Sequence, residues 1–197
     1  QVKPGFTREY YKSKKEIYYQ VETLVFGKAM ERALKPERII IGVSNKNKTK
    51  INKFYLNFLK LFNTEIIKMK FESAELSKIA INAFLVSTVT TTNILSMISE
   101  KINADWNDIV PALKKDRRIG QYAYLKPGLG ISGGNLERDL YTIKQIVNNN
   151  SLYLDFVKII RNISRDRKNW PYNTFKKILK KYKLKKPKIG VLGLSYK

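Results

Sequence analysis

The apolar positions of the chain change their period near residue 73. Before it, short apolar runs are separated by polar ones: Ile17-Tyr18-Tyr19 and Arg38-Ile39-Ile40-Ile41-Gly42 are β-rich, Glu65 to Lys68 reads as a short strand, and Pro4-Gly5 as a turn. Asn47 to Phe62 instead carries Ile51, Phe54, Tyr55, Phe58, Leu59 and Phe62 at helical spacing, the apolar face of an amphipathic helix. Strands alternating with a helix predict the end of a parallel α/β sheet.

Ser73 to Lys101 contains neither Gly nor Pro and predicts one helix, about 43 Å long at roughly 1.5 Å per residue. Ser73 is placed as its N-cap, with Glu75 in the first turn. Thr88, Thr90, Thr91 and Thr92 disfavour a helix intrinsically, so tertiary packing must hold this stretch. A long apolar helix of this kind packs against a partner subunit or lies in the core of an α-domain. A shorter helix over Asp105 to Leu113, a turn over Asp116 to Gly120, and helices over Leu136 to Asn148 and Leu152 to Arg165 follow. Trp170-Pro171 breaks the pattern, a Lys-rich amphipathic helix covers Phe175 to Tyr182, and Lys188 to Lys197 reads as the first strand of a further α/β unit. No internal repeat is visible. The chain starts at Gln1 without a Met and ends in that strand, so it is expected to be part of a longer polypeptide.

Composition narrows the chemistry. The 197 residues are 43% hydrophobic, enough for one large domain or two small ones. With no Cys and no His, disulfides, a thiol nucleophile and the commonest general base are excluded, and no metal site is expected. The formal charge is +23. A field of that sign suits nucleic acid, anionic membranes or phosphorylated small molecules. However, Lys, Asn and Ile are abundant throughout, as in a general compositional bias, and no RNP-type, zinc-finger or zipper pattern accompanies the charge. No apolar run reaches bilayer length and no signal peptide is evident, which predicts a soluble cytoplasmic protein without membrane contact.

Leu125 to Asp139 is the densest chemical signal. Gly128, Gly130, Gly133 and Gly134 fall within seven residues, and Glu137-Arg138-Asp139 opens a helix directly behind them. Glycines this close let backbone approach a ligand and offer it N–H groups, and a helix N-terminus favours an anion there. A plain surface loop has the same composition. On the long helix Lys78 and Asn82 stand four apart on one face, an ammonium and a carboxamide able to hold a substrate oxygen and stabilise an oxyanion. An ordinary polar stripe produces the same pair. Arg118 is a fork for phosphate or a surface charge. Asp139 is a site carboxylate or a helix-start charge, and Glu22 alone says little.

In order and spacing these residues resemble the UDP-glucose/GDP-mannose (nucleotide-sugar) dehydrogenase family over nearly the whole chain. Val2-Lys3-Pro4-Gly5 resembles the turn closing that family's first nucleotide-binding domain. Glu22 to Gly27 with Lys35 to Gly42 is similar to its "PEFLxEG … NPDRIVIG" segment. Glu75 to Phe84 is similar to its "AELxKxxxNAF", and Arg118-Ile119-Gly120 with Tyr124 to Asp139 to its "RIG … FLxPGxGFGGSCFPKD" loop. Lys188 to Lys197 resembles the opening strand of its C-terminal domain.

The resemblance implies an α/β fold in three parts. Residues 1–71 would end a Rossmann-like NAD-binding domain. Residues 72–170 would form a central all-α dimerisation and substrate domain, its homodimer made through the helix 73–101. Residues 171–197 would be a linker helix and the first strand of a second Rossmann-like, UDP-sugar-binding domain. It also implies oxidation of the primary alcohol of a UDP- or GDP-sugar to a carboxylate in two hydride transfers to NAD, bound by parts of the parent protein outside this chain. Lys78 and Asn82 would polarise the reacting oxygen, Asp139 would orient water or base, and Glu22 would assist acid/base work. Tyr124, Leu125, Lys126, Gly128, Gly130 and Gly133 would line the nucleotide-sugar pocket. Arg118 would reach the diphosphate in the neighbouring subunit, and Lys197 would close the pocket.

Three departures stand out. Asn135 occupies the position of the family's nucleophilic cysteine, and an amide cannot form a thiohemiacetal or thioester. Phe26 stands where a second carboxylate is expected, and Glu137-Arg138 replaces Pro-Lys. Gly190 and Gly193 do not supply a dinucleotide fingerprint. The sequence thus leaves open an oxidation that stops after one step, an acid reached through an aldehyde hydrate held by Asn135 and Asp139, a non-catalytic dimerisation or nucleotide-sugar-binding module, and a basic nucleic-acid-binding domain.

Overall fold

A computed structural model of the protein describes residues 2–11, 16–22, 24–25, 27–131, 134–147, 151–183 and 185–192. Phe26, Gly133 and Lys197 lie outside the described residues. The chain divides into two compact units, Gln1–Asn82 and Ala83–Lys197.

In the first unit, α1 (Phe6–Tyr11), β1 (Tyr19–Gln20), α2 (Ala29–Leu34), β2 (Ile39–Val43), α3 (Lys53–Lys60) and β3 (Ile66–Lys70) precede the first turns of α4 (Phe71–Lys101). The sheet order is β1-β2-β3. β2 and β3 are parallel, from Ile39 opposite Ile66 to Val43 opposite Lys70, and α3 makes the crossover between them. β1 runs antiparallel to β2, with Tyr19 opposite Gly42, so the sheet is mixed and not parallel throughout as expected. Alternation assigns the two faces of β2. Ile39, Ile41 and Val43 pack with Leu59 of α3, while Ile40 packs with Val21 and with Ala74 of α4. Gly42 lies on the α4 side, where a Cβ would come 2.9 Å from Ala74 Cβ and 3.3 Å from Phe71 Cα, so only glycine lets the helix lie this close.

Local polar chemistry corrects several boundaries. α3 starts at Lys53 and not near Asn47, because Asn45 Oδ1 accepts the amides of Asn47 and Lys48 and ties that segment into a turn. Asn52 Oδ1 then accepts the Phe54 amide and caps the helix. Phe54 and Phe58, placed on the apolar face by their spacing, are exposed. α4 follows β3 directly, so Ser73 sits inside the helix and caps nothing. The carboxylate of Glu75 is fully buried and accepts the amides of Gly5 and Thr7, at 2.6 and 2.9 Å, at the start of α1. This long-range cap explains why α1 is not visible as a local pattern. Beside it Arg8 pairs with Glu72 at 2.7 Å, donates to the Ser44 carbonyl, and lies over the Phe71 ring.

The second unit holds the rest of α4, α5 (Trp106–Lys115), α6 (Gly134–Ile146), α7 (Ser151–Lys168) and α8 (Trp170–Lys181). Its core joins Val86 of α4, Ile131, Leu140 of α6, and Val157 and Ile160 of α7. Trp170-Pro171 does not break a helix but starts α8, since a proline in the first turn gives up an amide that has no helical partner. Pro187 to Leu192 form no strand, because nothing among the described residues pairs with them. The expectation about bilayer length is also corrected. α4, with mean hydropathy 1.4 in its most apolar stretch, is long and apolar enough to cross a membrane by length and composition, as core helices of soluble proteins also are. Small hydroxylated residues between the apolar ones conceal this from a search for unbroken apolar runs.

Candidate functional site

Between α5 and α6 the glycine loop is held by side chains from three helices. Thr92 Oγ1 of α4 donates to the Tyr124 carbonyl at 2.8 Å, and Asn93 Oδ1 accepts the Gly128 amide at 2.8 Å. Trp106 Nε1 of α5, just behind the cap Asp105, donates to the Leu125 carbonyl at 2.9 Å. From α7, Ser164 Oγ accepts the Ile131 amide and Arg167 Nε donates to the Gly128 carbonyl, both at 2.8 Å. Gly130 has φ +88° and packs so tightly on α7 that a Cβ would lie 2.6 Å from the Ser164 carbonyl oxygen. These bonds account for two of the buried polar residues of α4, Thr92 and Asn93, which satisfy loop backbone where water is excluded. Sequence reasoning missed Thr92, Asn93, Trp106, Ser164 and Arg167. The available signal was Thr92-Asn93 at the end of a Thr-rich stretch that already demanded tertiary packing.

Lys78, Asn82 and Glu22 belong to the first unit. Lys78 is half-buried and Asn82 buried one turn further along α4, while Glu22 is exposed shortly after β1. The other expected residues belong to the second unit. Asp139 is buried on α6 with Arg138 Nε 3.5 Å from its Oδ1, and Asn135 is exposed in the first turn of the same helix. Tyr124, Leu125 and Lys126 line a cavity of about 450 Å³ together with Trp106, Lys114 and Gln121. A larger cavity of about 520 Å³ between α6 and α7, bordered by Lys144, Lys158, Arg161, Arg165 and Lys168, takes none of the expected side chains. The fork of Arg118 is exposed and already holds a carboxylate, with Nε 3.0 Å from Asp116 Oδ1 and Nη2 2.6 Å from Oδ2. Those hydrogen bonds keep the Asp116 carboxyl below its ordinary range.

Among the described residues no group of His, Cys, Asp and Glu could hold a metal ion. The turn from β2 into α3, Ser44 to Asn52, contains no glycine, so backbone there cannot approach a pyrophosphate as a dinucleotide fingerprint does.

Residues 72–166 match the central domain of the UDP-glucose/GDP-mannose dehydrogenase family. Over 183 residues the chain is 36% identical to UDP-glucose 6-dehydrogenase of Rickettsia bellii, covering 89% of this chain and 40% of that protein. The structure is similar to a UDP-glucose dehydrogenase from Pyrobaculum islandicum, with TM-score 0.62 and 25% identity over 75% of this chain and 33% of that one. It shares its fold with UDP-D-ManNAc dehydrogenase from Pyrococcus horikoshii, with TM-score 0.69 and 17% identity over 92% of this chain and 44% of that one. The long helix from Glu72 on, with its Lys/Asn pair, and the anchored glycine loop both fall within the matched residues. The chain belongs to the UDP-glucose/GDP-mannose dehydrogenase family and spans about 40% of the length of the curated relatives it matches.

Proposed function

We propose that the polypeptide carrying this chain oxidises the primary alcohol of a UDP-glucose-like nucleotide sugar to the uronate, for polysaccharide synthesis in the cytoplasm. NAD, held outside this chain, would be the hydride acceptor. The observation that carries the reading is the family match over 72–166, which contains Lys78, Asn82, Arg118, Asp139 and the loop. The Lys78 ammonium and the Asn82 amide hold the reacting oxygen and stabilise the charge it gains. Asp139 orients water and Glu22 assists proton transfer. Tyr124, Leu125, Lys126 and the loop glycines 128, 130 and 133 line the sugar-nucleotide pocket, which Lys197 closes. Arg118 exchanges Asp116 for the diphosphate bound in a neighbouring subunit. With Asn135 in place of a thiol, the acid is reached by adding water to the aldehyde, and Asn135 and Asp139 hold the resulting hydrate.

A homodimer through α4 is part of this reading. Phe84, Thr88, Thr91, Leu95, Ile98 and Ile102 recur at alternating steps of four and three, and Phe84 is 78% exposed. That spacing is the seam of a helix pair. Asn135 also favours a second reading, a binding module that keeps the pocket without the chemistry. Counting NADH per UDP-glucose and identifying the product separates them. Two NADH and a uronate support the hydrate route, one NADH and an aldehyde mean the second oxidation is lost, and saturable binding without turnover leaves the module.

A further inference from the structure

We propose that Arg167 and Asn93 are positioning residues of the sugar-nucleotide pocket, clamping Gly128 at its carbonyl and at its amide and so deciding which loop atoms a ligand can meet. This rests on the nucleotide-sugar reading above. Asn93 accepts the Gly128 amide and Arg167 Nε donates to the Gly128 carbonyl, and the two side chains are only 2% and 5% exposed. The Arg167 guanidinium lies 5.0 Å from the Trp170 ring centroid, and its Nη1 is buried without a hydrogen-bond partner among the described residues. A buried donor left unsatisfied is costly, and an apolar side chain would fill the space without that cost. What the arginine contributes in return is the bond to Gly128.

One turn earlier on α7, Ser164 grips the loop again at Gly130 and Ile131. The carbonyls of Tyr124 and Leu125 are taken by Thr92 and Trp106. With both polar groups of Gly128 consumed, the described loop residues whose amides are left to donate to a ligand include Lys126, Leu129 and Gly130. They flank the clamp on either side, and the acceptors they suit are phosphate and sugar oxygens. The clamp does not touch the reacting atoms. Losing it releases the loop without removing Lys78 or Asn82, so it acts on substrate affinity more than on turnover.

Glutamine makes a sharp probe because its Nε2 lies as many bonds from Cα as arginine Nε, so Arg167→Gln keeps a donor for Gly128 and removes the orphan Nη1. Arg167→Met keeps glutamine's reach and removes the donor. Both are compared with the parent in the full-length polypeptide, by hydrogen exchange over 124–131 and by KM and kcat for UDP-glucose. Releasing the Gly128 carbonyl from its charged donor loosens the loop, and so predicts exchange of the Gly128 amide, which Asn93 holds, and KM, raised about tenfold or more in Arg167→Met, with kcat changed much less. Arg167→Gln should stay within about twofold of the parent on both measures, since its donor is retained. Unchanged exchange and KM in Arg167→Met overturn the clamp, as does an Arg167→Gln protein that behaves like Arg167→Met. A parent that never turns over UDP-glucose overturns the dehydrogenase reading instead, and the exchange comparison still decides the clamp.

Discussion

Adding one methyl group to Gly130 strains the loop in two ways that can be measured apart. At φ +88° an L-residue costs about 1–2 kcal/mol in backbone strain. The new Cβ would also lie 2.6 Å from the Ser164 carbonyl oxygen and 2.8 Å from its Oγ. The carbonyl belongs to the backbone of α7 and cannot swing aside, so overpacking adds about 1–3 kcal/mol. Gly130→Ala should therefore cost about 2–5 kcal/mol in all. Two other glycines supply the controls. Gly120 has φ +84° with open space around its Cβ, so Gly120→Ala isolates the strain, about 1–2 kcal/mol. Gly128 has neither a positive φ nor a close neighbour, and Gly128→Ala should leave stability within about 0.5 kcal/mol. In urea, with a slope of about 2 kcal/mol per molar, the midpoint should fall by about 1–2.5 M for Gly130→Ala and about 0.5–1 M for Gly120→Ala. Equal midpoints for Gly130→Ala and Gly120→Ala would refute the close packing of the loop on Ser164.

Three further outcomes follow from the same structure. Glu75→Gln replaces one acceptor oxygen by a donor that opposes an α1 amide, and should lower stability by about 1.5–3 kcal/mol in denaturant titration, with α1 amides losing exchange protection. The hydrogen bonds of Arg8 hold the Glu72 carboxyl below its ordinary value of 4.5. Because the folded value lies below the unfolded one, this pair stabilises fully above that pH and is lost as pH falls through the lower folded value. Both side chains are partly exposed, so the effect is at most about 1 kcal/mol, read as a smaller acid-induced drop in urea midpoint for Glu72→Gln than for the parent. Phe84→Glu puts a charge on the exposed seam of α4 and should convert a dimer to a monomer in sedimentation analysis. An unchanged oligomer would remove that face from the interface.

Much of the helical half was legible because its elements are long and their apolar period is repeated, as for α4 and α7. The β2–α3–β3 order was legible too, since Ile39 to Val43 and Ile66 to Lys70 are short β-rich runs around an amphipathic helix. What escaped was set by contacts distant in sequence. α1 depends on Glu75, and α2 is six residues with no side-chain cap bond, too short to announce itself by period. Lys78, Asn82, Arg118, Asp139 and the loop glycines stood out by residue type and spacing, their roles came through family resemblance, and the structure adds that Tyr124, Leu125 and Lys126 share a cavity. The residues anchoring the loop stayed hidden because Thr, Asn, Ser and Arg on helices look like surface residues until their partners, backbone groups of the loop, are brought beside them.

The buried Glu75 also imposes an order on how the first unit is made. Its partners Gly5 and Thr7 precede it by 70 and 68 residues. A six-residue helix such as α1 has no stability alone, so it cannot persist before its cap exists. At translation rates of about 5–20 residues per second, roughly 3–14 s separate the synthesis of α1 from that of Glu75. During that interval Tyr11 has no Phe71 ring to lie against. The helix made first in this unit thus cannot settle until the first turns of α4 exist.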